Sequence, residues 1–456
     1  MTPETTPRKS TYDVLITGGG PAGATTALAL ARAGVSVLVA ERATFPRFHV
    51  GESLLPRNLP LFDELGIRDR LDDLPHLPKY GAEFAFGHQA DSLRFDFSDG
   101  LLPDLSAETV NVERASFDAM LLAAAAEAGA EVVQGAGVGR VGELADGAVS
   151  ALVGEHPVRA RYLVDASGQS TLLGKHLGLR RGYEGHSKVA CFGHFRGVQR
   201  LPGRDAGHPC IAMLDDAWFW IIALDEERTS VGVVMDRDVA RRVRRDHGVQ
   251  PADLLRWAIP RAPFVARRTM GAEALGEQRV AADFSYRCAP YAAPGCFLVG
   301  DAATFLDPIF STGICLGMVG GQRAAGHLTA IINGADPARQ RRSYRRFIER
   351  STAPVFRLIE AYYRHPFREL LMNGEGPLNV HRALYSLLSG HIFPRPPWPV
   401  RWRQRLMEAF VPLQERFGLV PRHRRYSLES VGAGRMPATS RHPGEPHSGG
   451  GLEATP

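Results

Sequence analysis

Cysteine is scarce in this chain of 456 residues: Cys191, Cys210, Cys288, Cys296 and Cys315 are all there are, and no two form a C-x-x-C pair. A disulfide framework or a zinc ribbon is thereby excluded, and a reducing compartment, the cytoplasm, is the expected setting. Long apolar runs are lacking as well. No stretch reaches the roughly 18 uncharged apolar residues that a spanning helix needs. Met1 to Tyr12 is polar, without an apolar h-region, so neither a signal peptide nor a membrane partner is expected. Charge of one sign is not in excess: 54 basic against 49 acidic residues leave +5. The one arginine-rich run, Arg339-Gln-Arg-Arg-Ser-Tyr-Arg-Arg346, reads as a solvated helix face, so no nucleic acid is expected. An H-x-x-H pattern, a G-x-S-x-G elbow and a paired-carboxylate signature are missing, and no metal is expected.

What is present is ordinary globular material, 44% hydrophobic and 23% charged. Asp13–Thr17 reads as an apolar strand, Gly18–Gly23 as a tight turn and Ala24–Ala33 as a small-residue helix stopped by Gly34. Val35–Ala40 reads as a second strand ending at Glu41. Together they make a right-handed βαβ unit. Ala115–Ala128 predicts a helix closed by Gly129; Glu131–Val133, Arg161–Asp165 and Phe297–Asp301 predict strands, and Thr312–Ile332 a long helix. Lys188–Val234, rich in β-branched and aromatic residues, predicts an antiparallel sheet. From Pro337 the pattern is helical, with Val355, Leu358, Ile359 and Tyr362 on one face and with Pro354 and Pro366 as punctuation.

The fold class is therefore α/β: a Rossmann-like dinucleotide-binding domain with an inserted antiparallel substrate domain and a C-terminal helical region. The expected boundaries are a flexible N-terminus over 1–11, the nucleotide region over 12–185 and 286–335, the mainly β substrate region over 186–285, the helical region over 336–433, and a disordered tail over 434–456.

Gly18-x-Gly20-x-x-Gly23 follows a strand and opens a helix, the context that a dinucleotide fingerprint requires. The first glycine permits the turn, the second lets backbone approach a pyrophosphate, and the third lets helix and strand pack. The helix start then offers free N–H groups and a partial positive charge. Glu41, at the end of the second strand, is placed to bind ribose hydroxyls, which disfavours NADP. A rival phosphate loop, Gly168-Gln-Ser-Thr-Leu-Leu-Gly174-Lys175, has one residue too many between its glycines and His176 where Ser or Thr should hold magnesium. Asp165-Ala-Ser-Gly168 and Gly300-Asp-Ala-Ala303 each end a strand. An aspartate followed by small residues suits a carboxylate on a ribityl hydroxyl, and equally an ordinary strand-to-helix turn.

In this order, the three motifs resemble the FAD-binding fold of the aromatic hydroxylase class. His49-Val-Gly-Glu-Ser-Leu-Leu-Pro56, Val112-Glu-Arg-Ala-Ser-Phe-Asp118, Trp218-Phe-Trp-Ile-Ile222 and Gly300-Asp-Ala-Ala-Thr-Phe-Leu-Asp-Pro-Ile-Phe-Ser-Thr-Gly313 narrow it. Together they resemble the flavin-dependent halogenases, and within them the branch acting on phenols and pyrroles, often tethered to a carrier protein. The resemblance runs from about Tyr12 to Ile332.

It implies that FAD, reduced by a separate flavin reductase, uses O2 to oxidise chloride or bromide to hypohalous acid, which travels to a lysine. The family's Lys-x-Gly-x-x-Phe pattern makes that lysine Lys79. It adds Arg114 and Gly168 to the cofactor residues Gly18, Gly20, Gly23, Glu41, Asp165, Gly300 and Asp301. It assigns the halide to the amides of Thr312 and Gly313, and makes Trp218 and Trp220 the barrier between flavin and substrate. Ala217 and Ala223 stand where the family usually has Gly and Pro. Phe310 stands in the substrate pocket where tryptophan halogenases carry a glutamate, which argues against free tryptophan. An aromatic hydroxylase or oxidase on the same scaffold, without halide chemistry, is the alternative reading.

Overall fold

Thr11–Thr17 and Val37–Glu41 pair in parallel, and the register extends the pairing outward on both sides. The sheet runs through five parallel strands, Cys296–Leu298, His156–Asp165, Thr11–Thr17, Val37–Glu41 and Glu131–Gln134, with Ala292–Ala293 antiparallel at one edge and Val138–Ala145 and Ala148–Val153 antiparallel beside His156–Asp165. Strands buried on both faces need no polar alternation, which is why they read as continuous apolar runs. Helices Pro21–Arg32 and Arg114–Glu127 pack on it, with Gly313–Ile332 against the first.

The computed structural model describes residues 4–102, 107–185, 187–282, 285–374 and 376–429. The tail expected to be disordered, 434–456, lies outside them. Residues 4–10, expected to be flexible, run along the sheet: Gln134 donates its N–H to the Glu4 carbonyl at 2.8 Å and Arg159 to that of Ser10 at 2.8 Å.

The second sheet runs Glu273–Ala274, Lys188–Arg196, Arg228–Asp236, Ala217–Ala223, Cys210–Met213, Gly81–Phe86, Ser92–Asp96. Two of its strands come from residues 81–96, outside the 186–285 range read from composition, and the Cys210–Met213 pairing with Gly81–Phe86 is parallel. One face carries Trp218, Trp220 and Ile222 against the C-terminal helices. The other carries Phe219 and Ile221 against the helices between Arg237 and Arg268. A separate two-stranded ladder, His76–Lys79 with Thr109–Val112, joins the two regions.

Several boundaries move for local reasons. The first helix begins at Pro21, not Ala24, because a proline in the first turn gives up only an N–H that has no helical partner. The expected strand at Phe297–Asp301 ends at Leu298, and Gly300 turns the chain with φ of +57°. Pro354 does not punctuate: the helix runs unbroken from Pro337 to Tyr362. The proline leaves the Arg350 carbonyl without its helical donor, and the neighbouring turns carry the helix across it. Val355, Leu358, Ile359 and Tyr362 all enter the core shared with the tryptophan face.

Candidate active site

The glycine turn is fixed by close approach. Gly18 has φ of +102°, and a Cβ there would lie 2.3 Å from the Ala166 carbonyl oxygen; one on Gly23 would lie 2.0 Å from that of Gly18. The helix that follows has no side-chain cap, so its first-turn N–H groups face outward from Gly20. Glu41 braces this turn: its carboxylate accepts from Gly19 N at 2.7 Å and from Ala43 N at 2.8 Å. Arg47, which sequence reasoning passed over, brings its guanidinium beside Gly20 and lies 3.2 Å from Asp118. Only its basic charge a few residues past the second strand could have signalled it.

Arg114 is buried and fully engaged. Its Nε and Nη2 meet Asp118 at 2.7 and 2.9 Å, and its Nη1 donates to the Val50 carbonyl at 2.7 Å. Asp301 is half-buried, close enough to feel that charge. Burial pushes its carboxyl up to about 7, against the pull of Arg114. Gly300 packs against the first helix, where a Cβ would come within 2.8 Å of Ala22 Cβ.

Asp165 stands at the end of its strand, where the sequence placed it. It is fully buried, and its carboxylate accepts from Ser167 N at 3.0 Å and Leu173 N at 2.7 Å. Those bonds hold the 167–173 turn. Gly168, at φ of +61°, has open space where its side chain would be. The glycine cradle, the uncapped helix start and the acid at Glu41 fit a flavin dinucleotide.

Thr312 and Gly313 open the helix Gly313–Ile332, again without a side-chain cap, after Ser311 turns the chain at φ of +55°. They line one cleft with Gly300, Asp301 and Thr304, closed by Phe347, Ile348, Ser351, Thr352 and Phe393. An uncapped helix start facing a closed cleft suits an anion.

Lys79 is buried at the end of its strand. Its Nζ donates to Ser53 Oγ at 3.0 Å and to the Leu54 carbonyl at 2.9 Å, and sits 5.1 Å from the Phe97 ring. Among the described residues no carboxylate bonds to it, and burial lowers its pKa to about 7. The segment Val50–Leu54 thus touches Arg114 on one side and Lys79 on the other. Its Glu52 is buried against His194, with Nε2 2.6 Å from the carboxylate.

The tryptophan rings lie 5.8 Å apart. Trp220 lies flat across Gly232, its partner in register, and donates to Ser230 Oγ at 3.0 Å. Trp218 donates to Tyr363 Oη at 3.1 Å, which donates to Asp307 at 2.6 Å. Asp307 also accepts from Ile309 N at 3.1 Å, so the chain of bonds reaches the turn before Thr312. Phe310 is buried edge-on to Tyr362 at 5.7 Å, in the same core as both tryptophans.

A family model described as an FAD binding domain matches residues 11–353. The chain is 35% identical over 332 residues to the 1H-pyrrole-2-carbonyl-[peptidyl-carrier protein] brominase of Pseudoalteromonas luteoviolacea, covering 71% of this chain and 79% of that protein. It is 30% identical over 379 residues to the corresponding chlorinase of Pseudomonas fluorescens, covering 77% and 84%. The solved structure of the flavin-dependent brominase Bmp2 superposes with a TM-score of 0.77 at 30% identity, covering 88% of this chain and 99% of that one. Among the described residues, no helix is long and apolar enough to cross a membrane.

Proposed function

The chain belongs to the flavin-dependent halogenases, and from that premise we propose that it halogenates a phenol or pyrrole presented by a carrier protein, with Lys79 where oxidant meets ring. Reduced FAD, once bound, supplies with O2 the two-electron oxidation that turns chloride or bromide into hypohalous acid. Gly18, Gly20 and Gly23 with Arg47 would hold its pyrophosphate, Glu41 a ribose, and Gly300 and Asp301 the flavin end. A separate flavin reductase delivers the reduced form. The amides of Thr312 and Gly313 hold the halide beside it. Trp218 and Trp220, held by their bonds to Tyr363 and Ser230, would form the barrier that a small oxidant passes and a ring does not.

The buried Lys79 carries the reading. Two of its donors are used by Ser53 and Leu54, and burial without a bonded carboxylate leaves its pKa at about 7. Such an amine can hydrogen-bond the oxidant as an ammonium or attack its halogen when neutral. Phe310 leaves the ring no carboxylate at its position, which suits a phenol or pyrrole over an indole. The relatives acting on pyrrole-2-carbonyl carrier proteins support a tethered substrate.

The test offers pyrrole-2-carbonyl thioester on a carrier protein, free pyrrole-2-carboxylic acid and free resorcinol, each with reduced FAD and bromide. Mass spectrometry should show bromine's isotope doublet on the tethered ring or, for a phenol enzyme, on resorcinol. Equal bromination of the free pyrrole acid would overturn the carrier. Gain of oxygen without bromine would overturn halogenation here.

A further inference from the structure

Among the described residues, four polar atoms on or near the ladder that carries Lys79 are buried with no hydrogen-bond partner: Thr109 Oγ1, Asn111 Oδ1 and both ring nitrogens of His208. The strand register draws them together. Thr109 stands directly opposite Lys79 and Asn111 opposite Leu77, so these side chains share a face of the ladder. The Asn111 amide donates to the carbonyls of Gly207 at 2.7 Å and Ala223 at 3.0 Å. Gly207 packs directly on Pro78: a Cβ there would fall 1.9 Å from the Pro78 carbonyl oxygen. His208 therefore follows a residue in backbone contact with the neighbour of Lys79.

Leaving a buried polar group without a partner is costly. Several at one place indicate a polar molecule that completes them. The His208 side chain is nearly inaccessible, and its Nε2 lies 3.8 Å from Asp96 and 3.9 Å from Asp205. Arg204 pairs with Asp96, and Arg94 lies 3.3 Å from Asp205, so both carboxylates are already held by guanidinium groups. The trio is thus a charge-backed imidazole, not a vacant metal cage.

We propose that His208, supported by Asp205 and Asp96, is the base that accepts the O–H or N–H proton of the ring being halogenated, with Asn111 Oδ1 and Thr109 Oγ1 orienting that ring. The proposal rests on Lys79 being the residue beside which the ring reacts. Burial holds His208 below the usual histidine range; Asp205 and Asp96 raise it, while Lys79 and Arg204 lower it further. The imidazole is neutral at pH 7 and so has a free acceptor nitrogen.

The chemistry balances with hypohalous acid as the oxidant. The ring carbon bonds to halogen as the halogen–oxygen bond breaks and hydroxide leaves. The ring O–H or N–H proton passes to imidazole as positive charge builds on the ring. Hydroxide then takes the proton from the halogenated carbon and becomes water, and the imidazolium returns its proton to the product.

The test uses 4-nitrophenol, whose anion absorbs at longer wavelength than its neutral form, with the FAD-loaded protein and no turnover. The wild type should bind it as phenolate, its apparent titration at least one pH unit below that in solution. His208→Gln should bind it as the neutral phenol, while Lys79→Met keeps most of the downshift. Asp205→Asn, a milder change that keeps the imidazole, should lose part of it. No long-wavelength band in the wild type, or an equal downshift in His208→Gln, overturns the proposal. A band abolished by Lys79→Met and untouched by His208→Gln would assign the effect to the lysine instead. Bromination that survives Lys79→Met would overturn the lysine reading separately, since the spectral result does not depend on it.

Discussion

At the scale of single residues, the Lys79 ammonium works against the fold that contains it. Its pKa is about 7 in the folded protein against 10.5 for an ordinary lysine. Below pH 7 it is charged whether the chain is folded or unfolded, and the cost of burial is felt in full. Between about 7 and 10.5 the unfolded chain binds the extra proton, so stability rises with pH. The whole effect is of the order of 5 kcal/mol. Lys79→Met, which keeps the volume and removes the charge, should unfold at higher urea than the wild type at pH 6. That advantage should shrink steadily toward pH 9. Urea midpoints across this range measure it; an advantage that grows with pH would contradict a buried amine.

The motif pointed to Lys79, but nothing local in the sequence gave its surroundings. Ser53 and Leu54 lie more than twenty positions away in the chain, and His208 much farther. Asp165 shows the converse. An aspartate at a strand end looks the same in sequence whether or not its carboxylate also holds its own loop, as Asp165 holds the amides of Ser167 and Leu173.

At the scale of elements, two glycines carry geometry that no other residue can supply. A methyl at Gly23 would sit 2.0 Å from a backbone oxygen that cannot move aside. Gly23→Ala should weaken FAD binding roughly tenfold or more, read by flavin fluorescence titration. Gly232 provides the flat bed for Trp220, whose ring atoms would come within 2.2 Å of a Cβ there. Gly232→Val should unseat that indole, cost about 3 kcal/mol, and alter the near-ultraviolet circular dichroism of the tryptophans. Unchanged dichroism would mean that the ring does not depend on this bed. The βαβ unit was legible because its periods and glycines are local. The alternation of Trp218 and Trp220 was legible for the same reason. The strands Gly81–Phe86 and Ser92–Asp96 were not assigned to the second sheet, because strand partnership across more than a hundred residues leaves no local pattern.

At the scale of the whole molecule, the C-terminal helices, where the family resemblance fades, close the cleft that holds Asp301, Thr312 and Gly313. Phe347 to Thr352 and Phe393 reach it from the other side. Sequence showed those helices to be amphipathic but not which surface they cover. The long helix Pro337–Tyr362 also carries the arginine run, with Arg342 and Arg346 exposed and Arg345 half-buried. An acidic surface on a carrier protein would complement such a run. Arg345→Glu should lower kcat/KM on a tethered ring and leave a free phenol or pyrrole unaffected; equal loss on both would place the arginine in the fold and not in docking.

The central claim is that oxidised halide reaches the ring only through Lys79. It is tested most directly by supplying reduced FAD, oxygen and bromide to the wild type and to Lys79→Met. Ring bromination is read by mass, and escaped oxidant by a scavenger in solution. The wild type should brominate the ring with little escape, and Lys79→Met should form oxidant at a similar rate, release it to the scavenger and leave the ring unchanged. Bromination by Lys79→Met at the wild-type rate would contradict the account.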